Sequence, residues 1–242
     1  MSDALLMLET VSKSYWRGTH ELRVLTELSL EMDAGEFTVV WGKRGAGKTT
    51  LLKVAAGLEP CDRGRVCFQG LDLAGMSESE HARLMRERIA WVRHSGPRSE
   101  LRMIDYVALP LLPAYGHRSA YSRAREALAR VGITECAQQY WQSLSDGERA
   151  LVGVARGIAR KPSLLLVDDP TANLDRRERE ELVTLLRELA DGGVGVLMTV
   201  PEMNEMMSAH QIGSLSGGRL IAPPRQPPPS NVIEFPGTER LV

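Results

Sequence analysis

One stretch, Gly42-Lys43-Arg44-Gly45-Ala46-Gly47-Lys48-Thr49, limits what this chain can become more than any other. It meets the spacing G-x-x-x-x-G-K-[ST] at every fixed position. A short apolar run, Phe37-Thr38-Val39-Val40-Trp41, leads into it, and a helix from about Lys48 to Ala56 leads out, stopping at Gly57. Glycines let backbone N–H groups wrap around phosphate oxygens without Cβ clashes, and the start of a helix adds favourable partial charge. The candidate phosphate contacts are Gly42, Lys43, Arg44, Gly45, Ala46, Gly47, Lys48, Thr49 and Thr50. Lys48 is expected to reach the β- and γ-phosphates, and the Thr49 hydroxyl to bind Mg²⁺.

A second segment completes the pattern. Leu164-Leu165-Leu166-Val167 is a fully apolar run that ends on Asp168, as expected of a buried parallel strand presenting a carboxylate to a metal ion. Together the two segments define a P-loop NTPase. The rest of the chain agrees with an α/β fold. Residues 5–11 and 28–32 alternate apolar and polar, which suggests early antiparallel strands. Arg65 to Phe68, Ile89 to Val92 and Val194 to Val200 read as further strands. Helices are expected from Ser119 as N-cap to Gly132, from about Gly147 to Lys161-Pro162, and through Leu182, Leu185, Leu186 and Leu189 to Gly192-Gly193. Strands alternating with helices imply a mainly parallel sheet, and residues of about 94–160 form a helical lobe.

Composition excludes some classes. The formal net charge of -1 gives no global basis for nucleic-acid binding, and an anionic ligand accounts better for the local Lys43, Arg44 and Lys48 cluster. Cys61, Cys67 and Cys136 show no metal-binding or disulfide spacing. No signal peptide is visible at the N-terminus, and no apolar run approaches the ~20 residues of a spanning helix, so any membrane role is borrowed from a partner. From Pro223 the composition changes, and 223–242 is expected to form a Pro-rich extended tail after a domain of 1–222.

Leu144-Ser145-Asp146-Gly147-Glu148 resembles the signature of ABC ATPases, usually LSGG followed by Gln or Glu. Asp168-Asp169-Pro170-Thr171 resembles their DEPT segment, and Ala172-Asn173-Leu174-Asp175 their D-loop. Tyr15 stands where an aromatic residue stacks on adenine. The resemblance covers residues 5 to about 221 and is closest to the small ATPases of lipoprotein-release, macrolide-export and cell-division systems. It implies an ABC-type nucleotide-binding domain with an antiparallel β subdomain and a helical lobe. It also implies a homodimer, or a heterodimer with another ABC ATPase, with ATP held between the P-loop of one subunit and Ser145 and Gly147 of the other. The dimer would drive membrane-spanning permease subunits, with contacts near Arg93 to Val107, from the cytoplasmic face of the cell membrane.

Four positions depart from the family pattern. Asp169 replaces the general-base Glu, shortening its reach by about 1.5 Å. Val200 stands at the switch histidine and has no donor for a γ-phosphate. His94 replaces a Gln near the metal; it either hydrogen-bonds water there or is a loop histidine without a ligand. Asp146 replaces the first signature glycine, where its charge would oppose a phosphate while stabilising the helix start. Binding groups are kept and hydrolysing groups altered, so slow hydrolysis of Mg·ATP is expected. The alternative is a nucleotide-gated, hydrolysis-deficient regulatory or scaffold subunit.

Overall fold

The computed structural model describes residues 4–93, 96–97, 100–202 and 209–221. The chain begins with a long antiparallel hairpin, β1 (Leu6–Arg17) and β2 (His20–Met32). Its alternating sequence turns Leu6, Leu8, Val11, Leu28 and Met32 inward, each almost fully buried. Next come β3 (Phe37–Trp41), α1 (Lys48–Ala55), β4 (Arg63–Phe68), β5 (Leu71–Asp72), α2 (Glu78–Glu87) and β6 (Ile89–Arg93). Helices α3 (Met103–Ala108), α4 (Leu112–Arg130) and α5 (Asp146–Ile158) follow, and then β7 (Leu164–Asp168), α6 (Arg176–Asp191), β8 (Gly195–Val200), β9 (Gln211–Ser216) and β10 (Arg219–Ile221).

The strands sort into two sheets. One has the order β2-β1-β4-β5 and is antiparallel; the other has the order β10-β9-β3-β8-β7-β6 and is parallel except for β10. The apolar run at 164–167 serves both faces of the second sheet. Leu164 and Leu166 pack with Leu51 and Leu52 of α1 and with Leu6 and Leu8 of the hairpin. Leu165 and Val167 face the opposite way, toward Val154 of α5 and Leu186 of α6. Helix α1 is therefore held between the two sheets. Burying each of its leucines stabilises the fold by about 1.5–3 kcal/mol, which fixes the loop that precedes it.

Two expectations are corrected. Ser119 does not cap a helix, because α4 runs from Leu112 to Arg130 and its break lies earlier, at Gly116 (φ 66°, ψ 172°). Only glycine adopts that geometry readily, so the helical turns resume at 117 and Ser119 falls inside them. In α5 the apolar periodicity predicts an inner face of Leu151, Val154, Ala155 and Ile158; Val154 and Ala155 are buried, but Val152 is fully buried as well while Leu151 and Ile158 are only half-buried, so the inner face is rotated toward Val152. The hairpin β9–β10 and helix α2 had no sequence expectation. The tail at 223–242 lies outside the described residues.

Candidate nucleotide site

The carboxyl ends of β3, β7 and β8, three neighbours in the parallel sheet, carry the site. At the end of β3 the Gly42 N–H donates to the Val200 carbonyl (3.1 Å), tying the loop to β8. A Cβ on Gly42 would lie 2.6 Å from the Leu215 carbonyl oxygen, so no side chain fits there. Gly45 (φ 83°) and Gly47 (φ 102°) are left-handed. Gly47 caps α1 without any side-chain hydrogen bond, and the first turn of that helix has no acidic residue. Its leading N–H groups thus point out of the helix with no side-chain cap and no acid in their own turn, the arrangement that receives phosphate.

Lys48 is buried, at 8% exposure, and its ammonium donates back across the loop to the carbonyls of Gly42 (2.5 Å) and Lys43 (3.2 Å). Lys43, Arg44 and Gly45 are exposed around it, with Ala46 and Thr50 half-buried. The Thr49 hydroxyl lies 3.2 Å from Asp168 Oδ1, although 119 residues separate them. The same oxygen accepts from the Thr199 hydroxyl at 3.1 Å. One carboxylate and one hydroxyl are hard oxygen donors, a set that suits Mg²⁺ completed by phosphate oxygens and water. Among the described residues no group of three or more His, Cys, Asp or Glu residues could hold a metal ion, so these residues offer no closed cage.

The positions expected to serve hydrolysis are built differently. Asp169 sits in the left-handed region (φ 47°), with its N–H donated to the Thr199 carbonyl (3.0 Å). Val200 is buried at 1% exposure at the end of β8, in the same apolar cluster as Met198, and its side chain carries no hydrogen-bond donor. His94 lies outside the described residues. Tyr15 is half-buried on β1 opposite Leu22, and the Lys13 ammonium stands 5.6 Å from its ring centroid.

Ser145 and Gly147 open α5. The Ser145 hydroxyl accepts from the Glu148 N–H (3.1 Å), and Glu148 accepts the Ser145 N–H in return (2.7 Å). Glu148 also receives the Cys136 thiol at 3.4 Å. Burial first and Glu148 second push that thiol's pKa up to about 12, so it remains a donor. Gly147 is buried, and a Cβ on it would lie 2.6 Å from Glu178 Oε1 at the start of α6. Within the chain Ser145 bonds to Glu148 and Gly147 lies against Glu178, and neither glutamate belongs to the phosphate loop. Sequence reasoning missed two contributors. Arg149 pairs with Asp146 at 2.9 Å, a contact that i,i+3 spacing could have flagged. Thr199 supports Asp168 through strand adjacency, which carries no local signal.

Fold and site together define an ATP-binding domain of the P-loop kind, with helices α3, α4 and α5 packed on the parallel sheet in one core and the 145–148 turn opening α5. Residues 25–172 match the family model described as ABC transporter. The lipoprotein-releasing system ATP-binding protein LolD 1 of Rhodospirillum rubrum is 32% identical over 227 residues, covering 92% of this chain and 100% of that protein. The LolD protein of Shewanella sp. (strain MR-4) is 35% identical over 195 residues, covering 79% of this chain and 84% of its own. A solved dimeric ATP-binding cassette, in a post-hydrolysis state bound to ADP and Pi, superposes with TM-score 0.79 at 26% identity, covering 89% of this chain and 96% of that one. The chain belongs to the ABC transporter family, as an ATP-binding subunit. None of these similarities favours the regulatory or scaffold alternative.

Proposed function

We propose that this subunit binds Mg·ATP, pairs with a second ATP-binding subunit around it, and couples slow hydrolysis to movement of a membrane-spanning permease. The observation that carries the reading is the convergence of Lys48, Thr49, Asp168 and Thr199 at one end of the parallel sheet. Lys48 and the α1 N-terminus bind the phosphates. Thr49 and Asp168 would hold the metal ion, which when bound neutralises phosphate charge.

Dimer formation is supported by the dimeric cassette to which the chain is similar. A membrane partner is supported by the family, and no helix among the described residues is long and apolar enough to cross a bilayer itself. A groove lined by Leu58, Met85, Trp91, Arg93, Tyr106 and Arg156 offers that partner a mixed apolar and basic surface. Arg93 lies 4.8 Å from the Trp91 ring centroid, and Arg156 lies 4.6 Å from that of Tyr106. The LolD relatives are named for a lipoprotein-releasing system, which supports work at a membrane alongside a permease.

Slow turnover is supported by Asp169 and Val200. The shorter acid has less reach toward a water, and Val200 offers no donor to a γ-phosphate. Steady-state phosphate release decides the matter. The chain is expected to turn over slowly, and Asp169→Glu, alone or with Val200→His, to raise the rate at least about tenfold. Fast release by the unaltered chain, unchanged in Asp169→Glu, would sink the claim of slow hydrolysis.

A further inference from the structure

The acid in the signature turn is not a bare charge. Asp146 Oδ1 accepts from Arg149 Nη1 at 2.9 Å, and both side chains keep access to solvent, at 39% and 27% exposure. The guanidinium is anchored from behind. Its Nε donates to the Trp141 carbonyl (3.2 Å), Nη2 reaches the Gln142 carbonyl (3.5 Å), and its carbon lies 5.8 Å from the Trp141 ring centroid. Trp141 is itself confined. A Cβ on Gly96 would fall 2.3 Å from its ring, and Tyr106 meets it edge-on at 6.1 Å. Arg149 is thus a fixed cation rather than a free surface arginine, and a guanidinium fork holds such a geometry better than an ammonium.

The position of this cation has a chemical consequence. The turn at 145–147 leads a helix whose first-turn acids are Asp146 and Glu148. Glu148 is occupied by the Ser145 N–H and the Cys136 thiol. Asp146 is therefore the charge left facing outward, and a triphosphate brought to this turn would be repelled by it.

Resting on the dimer reading above, we infer that Asp146 and Arg149 are a matched pair: Arg149 neutralises the signature acid, and that neutralisation lets the turn accept the nucleotide held by the opposing subunit. Arg149 is a positioning residue. It acts through Asp146, and its dependence on Asp146 separates it from an arginine that merely packs on Trp141. The pair makes nucleotide-driven association salt-sensitive, because a half-exposed ion pair is screened.

The test is a double-substitution cycle read by light scattering of the full chain as Mg·ATP is added, with binding of a fluorescent ATP analogue measured in parallel. Arg149→Gln is expected to weaken ATP-driven association at least about tenfold while leaving binding to the isolated subunit unchanged. Asp146→Gly combined with Arg149→Gln is expected to restore association to within about threefold of the unaltered chain. Two results overturn the pairing: Arg149→Gln with normal association, or a double variant as weak as Arg149→Gln. The second would assign Arg149 to the Trp141 and Gln142 carbonyls alone. A chain that binds the analogue yet never associates would instead overturn the dimer reading, and the pairing with it.

Discussion

The phosphate loop and the signature turn both start helices, and they finish those starts in opposite ways. Helix α1 begins on Gly47, with no side-chain cap and no acid in its first turn. Helix α5 begins on Ser145 with a complete capping box, and carries Asp146 and Glu148 in its first turn. A helix start leaves unsatisfied N–H groups, and only an acceptor from inside or outside the chain can satisfy them. At α1 no side-chain cap and no first-turn acid supplies that acceptor, so a phosphate has a place. At α5 the chain supplies its own acceptors and adds negative charge. One end is built to receive an anion from water. The other can meet one only where the charge has been balanced beforehand.

The largest effect expected from this contrast is on binding. Lys48→Ala removes the one buried cation of the loop and should weaken ATP affinity by about 3 kcal/mol, roughly a hundredfold. Calorimetry with Mg·ATP measures it directly. Undiminished heat would mean that the loop is not the receiving end, and the contrast would fail.

Smaller effects separate the two glycines. Gly47→Ala places a Cβ 2.8 Å from the Val24 carbonyl oxygen at φ 102°, against backbone that cannot swing aside. It should cost about 1–3 kcal/mol in urea denaturation. Gly147→Ala meets the tip of Glu178, which can move, but Glu178 also accepts the Asp175 N–H in the capping box of α6. The expected cost is about 1 kcal/mol, the value of one cap. It should disappear in a Glu178→Ala background. An equal cost in both backgrounds would show that the signature glycine is needed for another reason.

This asymmetry explains what the sequence made legible. The phosphate loop is a contiguous motif between a strand and a helix, so its residues and its fold could be read together. Asp168 was found by its place at the end of an apolar run. Thr199 was not, because its hydroxyl reaches Asp168 only through the pairing of β7 with β8, and pairing leaves no mark on either strand alone. Arg149 sits three residues from Asp146 and was within reach of a spacing argument, but its anchors at Trp141 and Gln142 lie in a short 3₁₀ turn without periodicity. The β9–β10 edge pairs too few residues for an alternating pattern to stand out. The start of α4 was placed at Ser119 because a serine ahead of an apolar stripe is a good cap, whereas the chain turns earlier, at Gly116, where only the φ of 66° reveals it.

The smallest predicted effect lies away from both helix starts and calibrates them. His210 precedes β9, where its Nδ1 accepts the Phe37 N–H at 2.9 Å, which requires a neutral ring. Burial lowers its pKa first and Arg187 next; Asp191 and Glu36 oppose them without reversing the direction. The unfolded chain takes up this proton near pH 6.5, before the folded chain does. Above about pH 6.5 the neutral ring contributes its full share. As the pH falls below that value and down through the depressed folded pKa, the unfolded state binds the proton preferentially and stability is lost. Melting temperatures at about pH 7.5 and about pH 5.5, bracketing that titration, should therefore fall more for the unaltered chain than for His210→Gln. Nucleotide affinity should not follow, since His210 bonds to the start of β3 and the phosphate loop leaves its end. The Asp191 carboxylate, 3.7 Å from Nε2, offers the opposite outcome. If acidification stabilised the protein and His210→Gln removed the gain, the ion pair would outweigh burial at this edge of the sheet.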